Sequence, residues 1–175
     1  AEHVAPRAAC DARAQTQWER WWNHVEHQCG PATGVRTLFD VVAMPLFGRL
    51  GFRAKHPRFM PGSATATLHT PGGQTVALLL RPWSERTPTT WRDATAAAGQ
   101  AGADWCCILA PPTLSIIPAA GHASRRSLDL TLPDALHPAS LATFLALVHA
   151  EAFDRAALNQ WLAHAATEQA RVRAD

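Results

Sequence analysis

Residues 64–80 read ATATLHTPGGQTVALLL, and this stretch decides the fold. Its first six residues alternate small apolar with polar side chains, as far as Leu68-His69. Period-two alternation puts one set of side chains on a buried face and the other outside, the pattern of a half-buried strand. Pro71-Gly72-Gly73 then supplies a turn, and Gln74 to Leu80 reads as a continuous apolar run with a β-branched start. A short apolar run without alternation suits a strand covered on both faces, so this second strand belongs in the middle of a sheet. The two together read as a β-hairpin.

Downstream, residues 81–88 form a loop, RPWSERTP, and residues 91–100 an Ala-rich helix. Thr90 and Asp93 have capping-box spacing, with Asp in place of Glu, and Gly102 is placed to close the helix. Residues 105–109 and 114–117 are apolar strands around a Pro111-Pro112 turn. Residues 127–132 alternate, with Leu128, Leu130 and Leu132 on one face. Upstream, Trp18, Trp21, Trp22, Val25 and Cys29 share one face of a helix that Gly30-Pro31 ends. A second helix starts near Val35 and carries Leu38, Val41, Val42 and Leu46, with Pro45 expected to kink or end it. Residues 53–58, RAKHPR, read as a basic, proline-containing loop.

The last third is helical. Pro138 suits a first helical position before Leu141, Phe144, Leu145 and Val148. Asp154 is expected to cap a final helix bearing Leu158, Trp161, Leu162, Ala165, Gln169 and Val172. Runs of strands separated by a helix imply an α/β (α+β) domain with a mixed central sheet of about five strands flanked by helices. The expected organisation is a mobile lead-in over 1–14, an α/β domain over 15–137 and a C-terminal helical pair over 138–175, the last read as cut off from a longer chain.

The chain has 175 residues, of which 47% are hydrophobic, and that excludes general disorder. Sixteen basic residues against 14 acidic ones leave a net charge of +2, so bulk charge does not identify a polyanion binder. Lys55 is the only lysine. No apolar run approaches the ~18 residues of a membrane-spanning helix. Four cysteines occur, Cys10, Cys29, Cys106 and Cys107, without a CxxC pattern. They read as reduced thiols of a cytoplasmic protein.

Catalytic signatures are sparse. His24 and His27 lie three apart on the first helix, near Glu26 and Cys29, and these are side chains that zinc accepts. They are the nearest approach to a metal site, but HExxH is missing and no second cluster completes a ligand set, so a solvated polar face explains them. There is no GxSxG nucleophile elbow and no phosphate-binding glycine loop. The informative feature is an absence: from Val41 through Ser84 there is no Asp or Glu, whereas Arg49, Arg53, Lys55, Arg58, Arg81, His56 and His69 all fall inside that window. Clustered cations, rather than net charge, mark a phosphate-contacting surface. The candidates for DNA contact are therefore Arg53, Lys55, Arg58 and Arg81, followed by Arg86 and the pair Arg125-Arg126. Trp83 and Trp91 are expected to anchor the core rather than stack on bases.

Three stretches, TLFDVVAMPLFGRLGF (37–52), VALLLRPWSERTPTTWRDATAAAGQAGADWCCILAPPTLSIIPAA (76–120) and LDLTLPDALHPASLATFLALVHAEAF (128–153), occur in that order. Together they resemble the N-terminal region of type IIG-like restriction–modification proteins that carry an adenine-specific DNA methyltransferase. The likeness covers most of residues 35–175 and rests on pattern rather than on a catalytic motif. It implies a restriction-endonuclease-like fold of the PD-(D/E)XK type, followed in the family by methyltransferase and target-recognition domains. Trp105 matches the family pattern. The turn reads Ala110-Pro111-Pro112-Thr113 instead of Thr-Asn-Gly, and the return strand, Leu114 to Ile117, is apolar where the family often has Arg.

The family's nuclease chemistry implies Mg²⁺-binding carboxylates on the hairpin strands, with a Lys beside them. Here those strands hold no acid, and the E-x-K position falls in Leu78-Leu79-Leu80-Arg81. No Asn/Asp-Pro-Pro-Tyr/Phe methyltransferase motif is present, and Tyr is absent. The resemblance therefore implies a degenerate domain without a cofactor of its own, Mg²⁺ and S-adenosylmethionine belonging to the family's catalytic domains. Its expected partners are duplex DNA and a methyltransferase domain of the same polypeptide, or partner defence proteins. Two alternatives stay open: a metal-dependent endonuclease with acids such as Glu19, Glu26, Asp40 and Glu85, and a protein-interaction domain that docks through the exposed remainder of the Trp-rich helix.

Overall fold

The hairpin anchors a six-stranded mixed sheet. The computed structural model describes residues 12–85, 89–119 and 127–154. Along the chain these form α1 (Ala12–Gln28), α2 (Val35–Leu38), a π-helical turn (Phe39–Ala43), α3 (Met44–Arg49), β1 (Arg53–Met60), β2 (Ser63–His69) and β3 (Thr75–Leu80). They continue with α4 (Thr90–Ala101), β4 (Trp105–Ala110), β5 (Thr113–Pro118), β6 (Leu128–Thr131), α5 (Leu132–Ala135), α6 (Pro138–Val148) and α7 (Ala150–Asp154). The strands lie side by side in sequence order, all antiparallel except β3 and β4. A parallel pair needs a crossover, and α4 supplies it. The molecule is thus α+β, with a mixed sheet flanked by helices.

Side-chain alternation divides the core into two layers. Val76, Leu78 and Leu80 of β3, with Cys107, Leu109, Leu114 and Ile116, face α1, α3 and α6 in the larger cluster. Ala77, Leu79, Cys106, Ile108 and Ile117 face the small side chains Ala94, Ala97 and Ala98 of α4. Every residue of β4 is buried, as is all of β3 after Thr75, which explains why neither strand alternates. Trp18, Trp21 and Trp22 turn inward, and Trp18 meets Phe144 edge-on at 6.2 Å.

Several local expectations are corrected. Residues 53–60 are a strand, not a loop, and this raises the sheet to six strands. β1 is an edge strand whose residues are exposed apart from half-buried Ala54, so it carries no apolar alternation. Pro57 is tolerated because a sheet edge does not need every amide. The helical run continues past Pro45, but its regular part is interrupted: a π turn, in which the Met44 amide donates to the Phe39 carbonyl, precedes Pro45 at the start of α3. There its missing N–H is no loss.

The N-cap of α4 is Thr89, which makes no side-chain cap bond, so the Thr90–Asp93 capping box does not form. The Asp93 carboxylate instead lies 3.9 Å from the Arg81 guanidinium. Gly102 closes α4 in the left-handed conformation, φ 60°, as expected. α1 begins at Ala12, so Ala12 to Ala14 belong to the helix and not to a lead-in. Leu132 opens α5 rather than extending β6. The Asp154 carboxylate accepts hydrogen bonds from the Thr70 hydroxyl and, at 2.9 Å, from the Gly72 amide. The final helix expected after it lies outside the described residues.

Candidate nucleic-acid interface

Strand alternation alone would put Lys55 and Arg58 on opposite faces, since they are three residues apart. The sheet register says otherwise. Arg53 pairs with His69, Lys55 with Thr67 and Arg58 with Thr65. Between the last two pairs β1 spends one more residue than β2, a β-bulge at His56-Pro57. His56 has φ 53°, the left-handed conformation that lets a bulge form at a non-glycine residue only at some cost. The extra residue restores the phase, so Arg53, Lys55 and Arg58 stand on one face of the edge strand.

That face is the α4 side of the sheet. Thr65, Thr67 and His69 form the next file inward, and they pair with Leu79, Ala77 and Thr75 of β3. α4 covers β3 and β4 but leaves β1 and the outer half of β2 accessible. A groove of about 190 Å³ results, lined by His56, Arg58, Thr65, Thr67, Gln100 and the small residues Ala97 and Ala101. The Thr67 hydroxyl donates to the Lys55 carbonyl at 3.1 Å, tying the two strands together below the bases of the cationic side chains. Hydroxyls, an imidazole and a guanidinium converge on the groove, and Arg53 and Lys55 continue the positive charge along the edge. No acidic residue occurs on β1, β2 or β3.

The other candidates fall elsewhere. Arg81 leaves the end of β3 with its side chain 13% exposed, 2.7 Å from Glu85 and 3.9 Å from Asp93. Its charge is matched by these carboxylates, so it does not extend the basic row. Arg86, Arg125 and Arg126 lie outside the described residues. Arg36 stacks over Phe59 at 4.3 Å, and Arg49 sits 5.6 Å from the Trp21 ring, both cations placed on aromatic faces. Trp83 stacks on Trp22 at 6.3 Å and packs on the core, and Trp91, in the first turn of α4, packs on the smaller core layer.

Neither hairpin strand presents a metal-binding edge. Leu78 and Leu80 point into the larger core and Leu79 toward α4, all at most 2% exposed, where the resemblance implies an acid and a Lys. These residues do not fit Mg²⁺, which requires oxygen ligands. Glu19 and Glu26 are exposed on α1, Asp40 is exposed on the π turn, and Glu85 is paired with Arg81. His27 Nδ1 donates to the Asn23 carbonyl at 2.6 Å, while His24 is exposed on the same helix. Among the described residues no three His, Cys, Asp or Glu side chains come together to hold a metal. Cys106 and Cys107 are fully buried; burial pushes the Cys106 thiol up to about 12 and raises Cys107 well above its ordinary value. Such thiols are poor nucleophiles.

The groove and the bulge were missed in the sequence. Pro61-Gly62 between residues 53–60 and 63–69 is the signal that could have found the β1–β2 hairpin, as Pro-Gly pairs mark turns. No helix among the described residues is long and apolar enough to cross a membrane. No protein-family model, curated protein or solved structure matches the chain.

Proposed function

We propose that the chain is a non-catalytic DNA-contacting module of a restriction–modification type DNA methyltransferase. The observation that carries the contact is the bulge-phased row Arg53-Lys55-Arg58 beside a polar groove, on strands that carry no acidic residue of their own. Cations in a file along a strand suit the regular spacing of backbone phosphates, and such contacts position a protein without reading sequence. The resemblance over residues 35–175 supplies the methyltransferase context. The leucines at the expected metal-binding positions support a role without hydrolysis.

The interaction-domain reading has less support, because the three tryptophans of α1 are buried and the residues between them are polar. The endonuclease reading has less support, because among the described residues no three His, Cys, Asp or Glu side chains gather where they could hold a metal. The test is to incubate the chain with plasmid and with a labelled duplex at low salt, with Mg²⁺ or Mn²⁺ present. The proposal expects a shifted duplex and intact plasmid. Metal-dependent cleavage, or no duplex binding at low salt, overturns it.

A further inference from the structure

The hairpin that carries the basic row ends in an exposed apolar tip. Met60 pairs with Ser63 across Pro61-Gly62, and Gly62 has φ +72°, so the turn is tight and set by Pro and Gly. The last rung between β2 and β3 is Ala64–Leu80, so Met60, Pro61 and Gly62 stand beyond the rest of the sheet. Met60 is 49% exposed and Phe59 36%, and among the described residues only Met44, at 40%, is another exposed large hydrophobic. Met60 continues the face of Arg53, Lys55 and Arg58. Phe59 lies on the opposite face, braced edge-on against Phe39 at 5.3 Å and beneath Arg36.

An apolar tip at the end of a cationic row, in a window without acids, is complementary to a polyanion that also offers apolar surface. Nucleic acid has that combination: phosphates outside, base faces within. Proteins that deform duplexes insert Phe, Met or Pro between base steps while basic residues hold the flanking backbone. We propose that the Met60-Pro61 tip is a wedge that enters between base pairs of the duplex held by the Arg53-Lys55-Arg58 row. The domain then selects DNA that is bent or easily unstacked over a stiff, fully paired duplex. This rests on the DNA-contacting reading above.

The test compares a short labelled duplex bearing a central mismatch with its fully paired counterpart, using the full chain at one fixed low salt concentration. A 2-aminopurine beside the mismatch reports unstacking. A mismatch removes part of the unstacking cost, so it is expected to bind about tenfold tighter, with a rise in 2-aminopurine fluorescence. Met60→Ser is expected to bring the ratio to about one and abolish the fluorescence rise. Met44→Ser, exposed but on α3, keeps both. Met60 is half exposed, so Met60→Ser is checked for an unchanged circular dichroism spectrum. Equal binding of both duplexes by the wild type, with binding still salt-dependent, overturns the wedge and leaves the module standing. So does a mismatch preference that survives Met60→Ser, or one lost together in Met44→Ser. Failure to bind either duplex overturns the module, and the wedge with it.

Discussion

Replacing Gly72 with Ala should destabilise the protein only while Asp154 is present. A Cβ at position 72 would sit 2.6 Å from Asp154 Oδ2, and nearer still to its Cγ; the three closest atoms all belong to that carboxylate. Gly72 does not occupy the left-handed region, so Ala is acceptable to the backbone and the problem is purely one of space. The carboxylate must withdraw, and it then loses the 2.9 Å bond from the Gly72 amide and strains the one from the Thr70 hydroxyl. Thr70 is only 6% exposed, so its proton has little access to water, although its oxygen keeps the Gln74 amide at 2.9 Å.

Hydrogen bonds to a charged acceptor contribute about 1.5–3 kcal/mol each, and partial exposure favours the lower end, giving about 2–4 kcal/mol for the pair. Asp154→Ala should cost that amount, and Gly72→Ala somewhat less. In the Asp154→Ala background the space is free, so Gly72→Ala becomes neutral or stabilises by about 0.4–1 kcal/mol through the unfolded chain. The sign of one substitution thus depends on a residue 82 positions away. Urea denaturation of the four proteins measures the cycle, with midpoint changes at constant m. Additive effects, or a Gly72→Ala cost that persists without Asp154, would refute the latch.

Other consequences follow from the same contacts. Arg81→Ala should lower stability by only about 0.5–1 kcal/mol, because its partners Glu85 and Asp93 are more than 40% exposed and water solvates them in its absence, and it should leave the salt dependence of DNA binding unchanged. A reduced salt slope in that variant would return Arg81 to the interface. Cys106 and Cys107 should resist alkylation in the native state and react only on unfolding, as mass spectrometry of trapped peptides can show. Their raised values also fix the sign of a pH effect. The folded state keeps protons that the unfolded state releases, so stability is full below pH 9.0 and falls as pH rises toward about 12. Alkaline denaturation that is insensitive to Cys106→Ala and Cys107→Ala would contradict this.

The legible part of the fold was the part with two-sided burial or clean alternation. β2 and β3 were readable because Ala64, Ala66 and Leu68 face the core while Thr65 and Thr67 do not, and because β3 is covered on both sides. β1 was illegible for the opposite reason. An edge strand exposed on both faces has no pattern to show, and Pro57 within it resembles a loop. The acid-free window was visible, and three of its cations do share a face. Their alignment was not visible, because it depends on one extra residue at His56-Pro57 that alternation cannot anticipate. Arg81 stood in the same window, but its partners Glu85 and Asp93 are brought to it by the β3–α4 loop and by α4, outside the reach of a charge count.

The central claim is that Arg53, Lys55 and Arg58 act together on a phosphate backbone. The most direct measurement is the affinity for a labelled duplex as a function of salt, for the wild type and for the Arg53→Ala/Lys55→Ala/Arg58→Ala variant. Three phosphate contacts predict a slope of log K against log salt of about −2.7, or about a 40-fold loss of affinity between about 50 and 200 mM. The side chains are exposed, so the variant should fold normally. The account predicts that its slope moves toward zero by about 0.9 for each cation removed. A folded variant that binds duplex with the wild-type slope would contradict it.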